Sequence, residues 1–497
     1  MKIRTTSCAW GLLTMLAWPS LAAAQPPPEP GPADNGVAAP PTPAPPAPPA
    51  PPPPAEPPAP TKQVFLKEPA STMFGKFKVT LLNFIEFDGF HDSTESFQDG
   101  YGGSNPISRV NTYAGTHGRA NFTARNTQIG LQAEGPELWD MKATGHCRID
   151  FNGNIPGSPQ NGNSESGLQN SPTARLFHCY GKLETPVVDV LGGLTYTLFG
   201  SQPYFFPASL TFLGIPGEVF SRTAQLRLSH KFTSSHVDVY LALAAARPPQ
   251  RDSEVPEGVA ALRVEFKDWM GVHTPGALGT KVDALAVGVS GTMRQFRVQE
   301  QAVSPTSSNT ENGAGVSLDA FVPIIPAESL AKAGNSLSAT ASFATGYGIA
   351  DEWLGVTGGA PAQLRPAAVG APPYAAAPPQ LNIDPGFAYY DPTGTLHAVD
   401  WQSINVGLQY YLPGPGNVWL FGNYTHLESD NLARLLPPKA GAVSTIFNKQ
   451  QFLAAGVFWA IVPNFQVAFE YSNLLQTFLD GGQEVNHRES LATYYVF

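Results

Sequence analysis

The dominant period along this chain is two. From Phe74 to Phe497 apolar residues recur at every second position. Examples are Val188, Val190, Leu194 and Tyr196; Val237, Val239, Leu241 and Leu243; and Phe465, Val467, Phe469 and Tyr471. The positions between them are mostly polar or small, as at Asp189, Thr195, Asp238, Gln466 and Glu470. That alternation marks strands with one apolar face, and no long stretch carries the period of a helix. The pattern predicts strands at 76–90, 119–134, 140–152, 173–184, 188–199, 222–232, 236–246, 258–268, 281–298, 313–323, 336–348, 401–413, 417–427, 448–460, 465–477 and 485–497.

The connections mostly run long, short, long, short. Asp92–Gly118, Gly153–Pro172, Gly200–Ser221, Gln299–Asn312, Ala350–Asp400 and Glu428–Asn448 are long, whereas Thr185-Pro-Val187, Thr233-Ser-Ser235 and Val462-Pro-Asn464 are short. Short turns at one end, long loops at the other and an even strand count are the habit of transmembrane β-barrels. A soluble propeller would instead repeat every 40–50 residues or so. The expected fold is therefore all-β: an antiparallel barrel of about sixteen strands over residues 73–497. The last residues, Leu491-Ala-Thr-Tyr-Tyr-Val-Phe497, alternate to a terminal aromatic. Leu491, Tyr495 and Phe497 are expected to face lipid beside the first strand near Phe77, and to serve as a barrel-assembly signal. Tyr180, Tyr240, Trp269, Tyr347, Tyr410, Tyr411, Trp419, Trp459, Tyr471 and Tyr495 are candidates for interfacial girdles.

The N-terminus sharpens the location. Lys2 and Arg4, an apolar run from Gly11 to Ala17 and Ala22-Ala-Ala24 before Gln25 form a secretory signal over residues 1–24. Residues 25–72 form a Pro/Ala-rich linker. About 35 residues of it in polyproline II would extend on the order of 100 Å. The linker is read as a disordered periplasmic spacer, or as an arm reaching the peptidoglycan. Charged residues make up 14% of the chain and the formal net charge is −10, which speaks against nucleic acid as a partner. No cofactor and no metal is expected.

A barrel of this size encloses water, so its chemistry should lie in what narrows and charges the interior. The stretch Gly200-Ser-Gln-Pro-Tyr-Phe-Phe-Pro-Ala-Ser-Leu-Thr-Phe-Leu-Gly-Ile-Pro-Gly217 is too apolar for a solvated loop. Its Gln202, Tyr204, Phe205, Phe206 and Phe212 are expected to fold inward as a constriction; packing at a subunit interface is the other reading. Strand parity turns Arg148, Arg175, Arg227, Arg263 and Arg294 inward, with Arg222 where the loop rejoins the wall. Arginine forks bind carboxylate and phosphate, so this set predicts an anion path, or else pairing with acids such as Asp150 and Glu265. Cys147 faces lipid. Cys179 faces the interior if Arg175 does, and faces lipid beside Cys147 if the register shifts.

Ala124-Arg-Asn-Thr-Gln-Ile-Gly-Leu131, Arg148-Ile-Asp-Phe-Asn-Gly153, Ala174-Arg-Leu-Phe-His-Cys-Tyr-Gly181, Gly193-Leu-Thr-Tyr-Thr-Leu-Phe199 and Ser221-Arg-Thr-Ala-Gln-Leu-Arg-Leu228 occur in this order. This ordered set, over residues 119–232, resembles the dicarboxylate-type (DcaP-like) outer-membrane porins. The resemblance implies a homotrimer of sixteen-stranded barrels, an inserted third loop and Arg-lined passage of small organic anions, with Arg175, Arg222 and Arg227 at matching positions. Gln128 and Phe177 stand where further basic residues are expected, and the Pro-rich linker replaces a helical periplasmic segment. Passive diffusion is thus the leading function. The alternatives are a non-selective general porin, a tether between outer membrane and cell wall, and a barrel enzyme built on His91-Asp-Ser93.

Overall fold

The computed structural model describes residues 70–97, 99–101, 106–153, 172–210, 214–248, 253–300, 306–356, 386–390, 395–435 and 441–497. The expected signal segment, the linker through residue 69 and Phe212 lie outside the described residues.

The described residues form twenty-one strands. They are β1 (Ser71–Phe74), β2 (Phe77–Leu81), β3 (Phe84–Asp92), β4 (Arg119–Thr123), β5 (Ile129–Glu134), β6 (Lys142–Asp150), β7 (Arg175–Glu184), β8 (Asp189–Tyr196), β9 (Arg222–Thr233), β10 (Val237–Ala246) and β11 (Glu257–His273). They continue with β12 (Lys281–Gln299), β13 (Ser308–Ile325), β14 (Leu337–Tyr347), β15 (Ala388–Tyr390), β16 (Leu396–Ala398), β17 (Asp400–Tyr411), β18 (Val418–Glu428), β19 (Phe447–Val462), β20 (Phe465–Phe478) and β21 (Gln483–Val496). Nineteen belong to one sheet, and β15 and β16 form a separate pair. From β5 onward each strand of the large sheet pairs antiparallel with the next, and β21 pairs with β3 from Arg488↔Asp92 to Val496↔Phe84.

The strand count departs from the expected sixteen for local reasons. Gly75, with φ +63°, lets β1 fold back on β2. The predicted strand 76–90 is broken between β2 and β3, where the Asn83 side chain accepts the Gly130 N–H at 2.9 Å. The predicted strand 119–134 is broken between β4 and β5, where Asn126 turns its amide to Asp88 at 2.8 Å. At the first break a side chain takes the place of a ladder bond. The pair β15–β16 lies inside the predicted loop 350–400.

The two faces of the sheet differ sharply. Leu228, Leu243, Val289, Leu318, Ile404, Leu453, Phe469 and Leu491 are exposed, while their neighbours Ser229, Ala242, Ser290, Ser317, Ser403, Ala454, Ala468 and Ala492 are buried. A soluble surface rarely carries so continuous an apolar face; a lipid-facing one requires it. Trp269, Tyr347, Trp459, Tyr471 and Tyr495 are on the exposed face. Tyr411 and Trp419 correct the girdle assignment: both are buried on the other face and stack at 5.6 Å. Tyr180 and Tyr240 also share that covered face, Tyr180 under His146 and Tyr240 under Arg263. At the C-terminus Leu491, Tyr495 and Phe497 are exposed, and the Tyr495 and Phe497 rings stack at 5.8 Å. The neighbour of Phe497 is Asn83, whose carbonyl accepts its N–H at 3.3 Å, rather than Phe77.

A bulge settles the two open readings of Cys179. Arg148 pairs with His178 but Ile149 pairs with Leu176, so Phe177 is the extra residue. One inserted residue reverses parity. Arg175 therefore faces the covered side opposite Asp150, while Cys179 faces the exposed side opposite Cys147, and the two cysteines form a disulfide.

Candidate functional site

The loop between β8 and β9 crosses the covered face. Gln202 ties its base: its amide donates to Thr197 Oγ1 and the Phe199 carbonyl, and its Oε1 accepts the Ser221 N–H at 2.8 Å. Tyr204 lies under the Arg263 guanidinium at 4.0 Å. Phe205 packs with Ala286 and Phe321 over Gly288, where a Cβ would stand 2.8 Å from the ring. Phe206 meets Tyr196 edge-on and stacks on Phe220. Further along, the Ala208 carbonyl accepts from Asn423 at 2.6 Å and the Leu210 N–H donates to Glu470 at 3.2 Å, while Tyr494 donates to the Leu210 carbonyl. The loop thus spans from β8 to β18, β20 and β21.

A second loop locks onto it. Residues 349–356 run beside 217–220, with Phe220 N donating to Glu352 O at 2.8 Å and Leu354 N to Glu218 O at 2.9 Å. Trp353 is fully buried there and donates to Ser403 Oγ at 2.7 Å. Burial pushes the Glu218 carboxyl up to about 8. Alternation along the strands carries no sign of this contact; Trp353, a lone tryptophan inside a long connection, is the residue that could have marked it.

Opposite the loop stands a basic wall. Arg148, on β6, donates to the Gln128 side chain at 3.1 Å. Arg222, at the start of β9, donates to the Phe177 carbonyl at 2.7 Å and lies 3.8 Å over the Phe177 ring. Arg227, further along β9, donates to the Tyr196 carbonyl at 2.6 Å and to Gln225 Oε1 at 2.9 and 3.1 Å. Among the described residues none of these three forms a salt bridge, and the acceptors of these hydrogen bonds are neutral. Gln128 and Phe177, which stand where bases were expected, instead hold Arg148 and Arg222.

The other three arginines are paired with carboxylates. Arg175 grips Asp150 with both ends of its fork, at 2.5 and 3.0 Å. Arg263 bonds Glu265 at 2.8 Å. Arg294, with no side-chain exposure, is enclosed by Glu257 at 2.7 Å, Glu352 at 3.0 Å and Asp351. This placement removes Arg294 from any solvent-lined surface, because the loop at 350–353 covers it.

Between loop and wall lies a cleft of about 320 Å³, lined by His146, Arg148, His178, Tyr180 and Tyr196 on the wall and by Pro203, Phe206 and residues 275–278 opposite. His146 stacks on Tyr180 at 4.9 Å. Of the acids on β3 and β20, Glu86, Asp88 and Glu470 are buried, and Asp92 is held by Arg488 at 2.7 Å. Such a cleft can attract and orient a small anion by charge and by amphipathic rings.

No protein-family model matches the chain, and no curated protein matches it. Solved structures do. The outer membrane channel DcaP of Acinetobacter baumannii superposes with a TM-score of 0.58 at 16% identity, covering 85% of this chain and 97% of that one. The anion-selective porin from Comamonas acidovorans (TM-score 0.46, 8% identity, 85% and 100% covered) and Pseudomonas putida OprB (0.45, 12%, 84% and 94%) superpose more loosely. The first likeness shows the fold: the chain has the all-β fold of an outer-membrane porin.

Proposed function

We propose that the protein is an outer-membrane channel for passive diffusion that favours small organic anions, and that it is not an enzyme. The reading takes the sheet as a closed barrel. Its support is the pairing of β21 with β3, while the other edge of β3 pairs with β4 and that of β2 with β5. Counting β2 with β3 and β4 with β5 as single crossings, and setting aside β1, β15 and β16, gives sixteen crossings. Trimer formation, insertion by the barrel-assembly machinery and a periplasmic arm belong to the same reading. The observation that carries anion preference is the trio Arg148, Arg222 and Arg227, which have neutral partners only.

Reversal potentials in planar bilayers under a salt gradient test it. In water-like surroundings one charge at about 6 Å is worth ~0.7 kcal/mol, a factor of about three in anion partition. Arg148→Ala or Arg227→Ala should lower anion preference by about that factor. Cation preference in the wild type, or no change in either variant, overturns the anion reading and leaves a general porin. A wild type that conducts nothing leaves the tether.

A further inference from the structure

The connection between β11 and β12 is longer than its task. The two strands pair down to His273↔Lys281, so residues 274–280 close a hairpin that two residues could close. This turn lies at the short-turn end of the sheet, yet most of it is covered. Thr274 and Ala277 are buried. The Thr274 N–H donates to Gln409 Oε1 at 2.9 Å, and its hydroxyl lies 2.7 Å from Tyr411 Oη. Gln466 reaches the Ala277 carbonyl at 3.4 Å.

The turn also grips the tip of the crossing loop. Gly276 N donates to Pro207 O at 2.9 Å and Ser209 N to Gly276 O at 3.2 Å, an isolated parallel bridge between Ala208 and Gly276. His273 Nε2 lies 3.1 Å from the Phe206 carbonyl, and its Nδ1 lies 2.9 Å from Asp283. Gly276 has φ +68°, a conformation that suits glycine. The turn and the loop are therefore one hydrogen-bonded unit, and both line the cleft that Arg148 lines from the wall.

We infer that this turn is the second jaw of the constriction, and that Leu278 sets the solute cross-section opposite Arg148. The inference rests on the diffusion reading. Pro275, Ala277 and Leu278 present no charge and no side-chain hydrogen bond. The charged end of a solute is held at the wall, and its body passes the apolar jaw. Side-chain bulk at 278 then controls width while the basic wall controls charge.

Single-channel recording of the full chain in planar bilayers tests this, with wild type, Leu278→Trp, Leu278→Ala and Leu278→Cys. Pore diameter governs passage, so Leu278→Trp should lower conductance about twofold and Leu278→Ala raise it, both with the wild-type reversal potential. Leu278→Cys should lose current on adding a sulfonated methanethiosulfonate, which leaves the Cys147–Cys179 disulfide intact. The block is a readout independent of the two size variants. Unchanged conductance in the Trp and Ala variants, with no block of the Cys variant, overturns the jaw while the channel stands. A wild type without conductance overturns the diffusion reading and the jaw together.

Discussion

Arg294 offers a sharp test because its role in the structure differs from that of the other inward arginines. Its guanidinium is wholly buried, and so are Glu257 and Glu352, with Asp351 partly open. Arg294→Ala would leave two carboxylates buried without a countercharge. Breaking a buried pair on one side costs about 3–5 kcal/mol, far above the 0–1 kcal/mol or so of an exposed pair. With a urea slope of about 3 kcal/mol per molar for a protein of this size, the unfolding midpoint should fall by roughly 1–2 M. Lys332→Ala, which removes the exposed pair with Glu328, serves as control and should not move it. The triple change Arg294→Met, Glu257→Gln, Glu352→Gln removes charge and countercharge together and should recover most of the loss. Urea titrations followed by tryptophan fluorescence in detergent measure all three. Arg294→Ala with a wild-type midpoint would refute the reasoning. So would a shift in reversal potential as large as that of Arg148→Ala, since Arg294 would then face the solute path.

The other expectations are simpler. The disulfide closes a separation of 32 residues, so Cys147→Ser with Cys179→Ser should lower stability by about 3–4 kcal/mol on the chain-entropy argument, and an unchanged urea midpoint would count against it. Burial raises the Glu218 carboxyl from 4.5 to about 8, so the folded loop binds the extra proton. The loop contact is therefore fully held below pH 4.5 and weakens as pH rises through about 8. Current noise should grow between about pH 5 and pH 9 and become flat with pH in Glu218→Gln; noise that does not vary in the wild type refutes this. Deleting Phe497, which is exposed and stacks on Tyr495, should reduce the yield of inserted protein while leaving the conductance of those molecules unchanged. Normal yield removes the signal role.

The faces of the sheet were legible because a period of two is a local property. Leu226 and Leu228 stand out on β9, and Gln225, Arg227 and Ser229 alternate with them on the covered side. Nothing beyond the neighbours of each residue was needed to see this. Which arginines keep a free charge was not legible in the same way. Arg148 and Arg175 have the same parity, and Asp150 is within reach of either by sequence pattern. Only the pairing Asp150↔Arg175 across two strands decides which of them the carboxylate takes. Likewise Arg294 looks like any inward base on β12. Its enclosure comes from Asp351 and Glu352, more than fifty residues away on a loop.

The breaks and the bulge mark the physical limit of reading by alternation. Parity carries along a strand only while no residue is inserted, and a single insertion reverses every later assignment. On β7 the readings "Arg175 inward" and "Cys179 toward lipid" exclude each other in an unbroken strand. Both hold here because Phe177 is extruded between them. At the same bulge the Phe177 carbonyl accepts from Arg222 and its ring lies under the guanidinium. The disulfide on the exposed face and the basic wall on the covered face are thus two sides of one irregularity. An unbulged β7 would place either the cysteine pair or Arg175 on the wrong side, and it would move the Phe177 carbonyl that now accepts from Arg222.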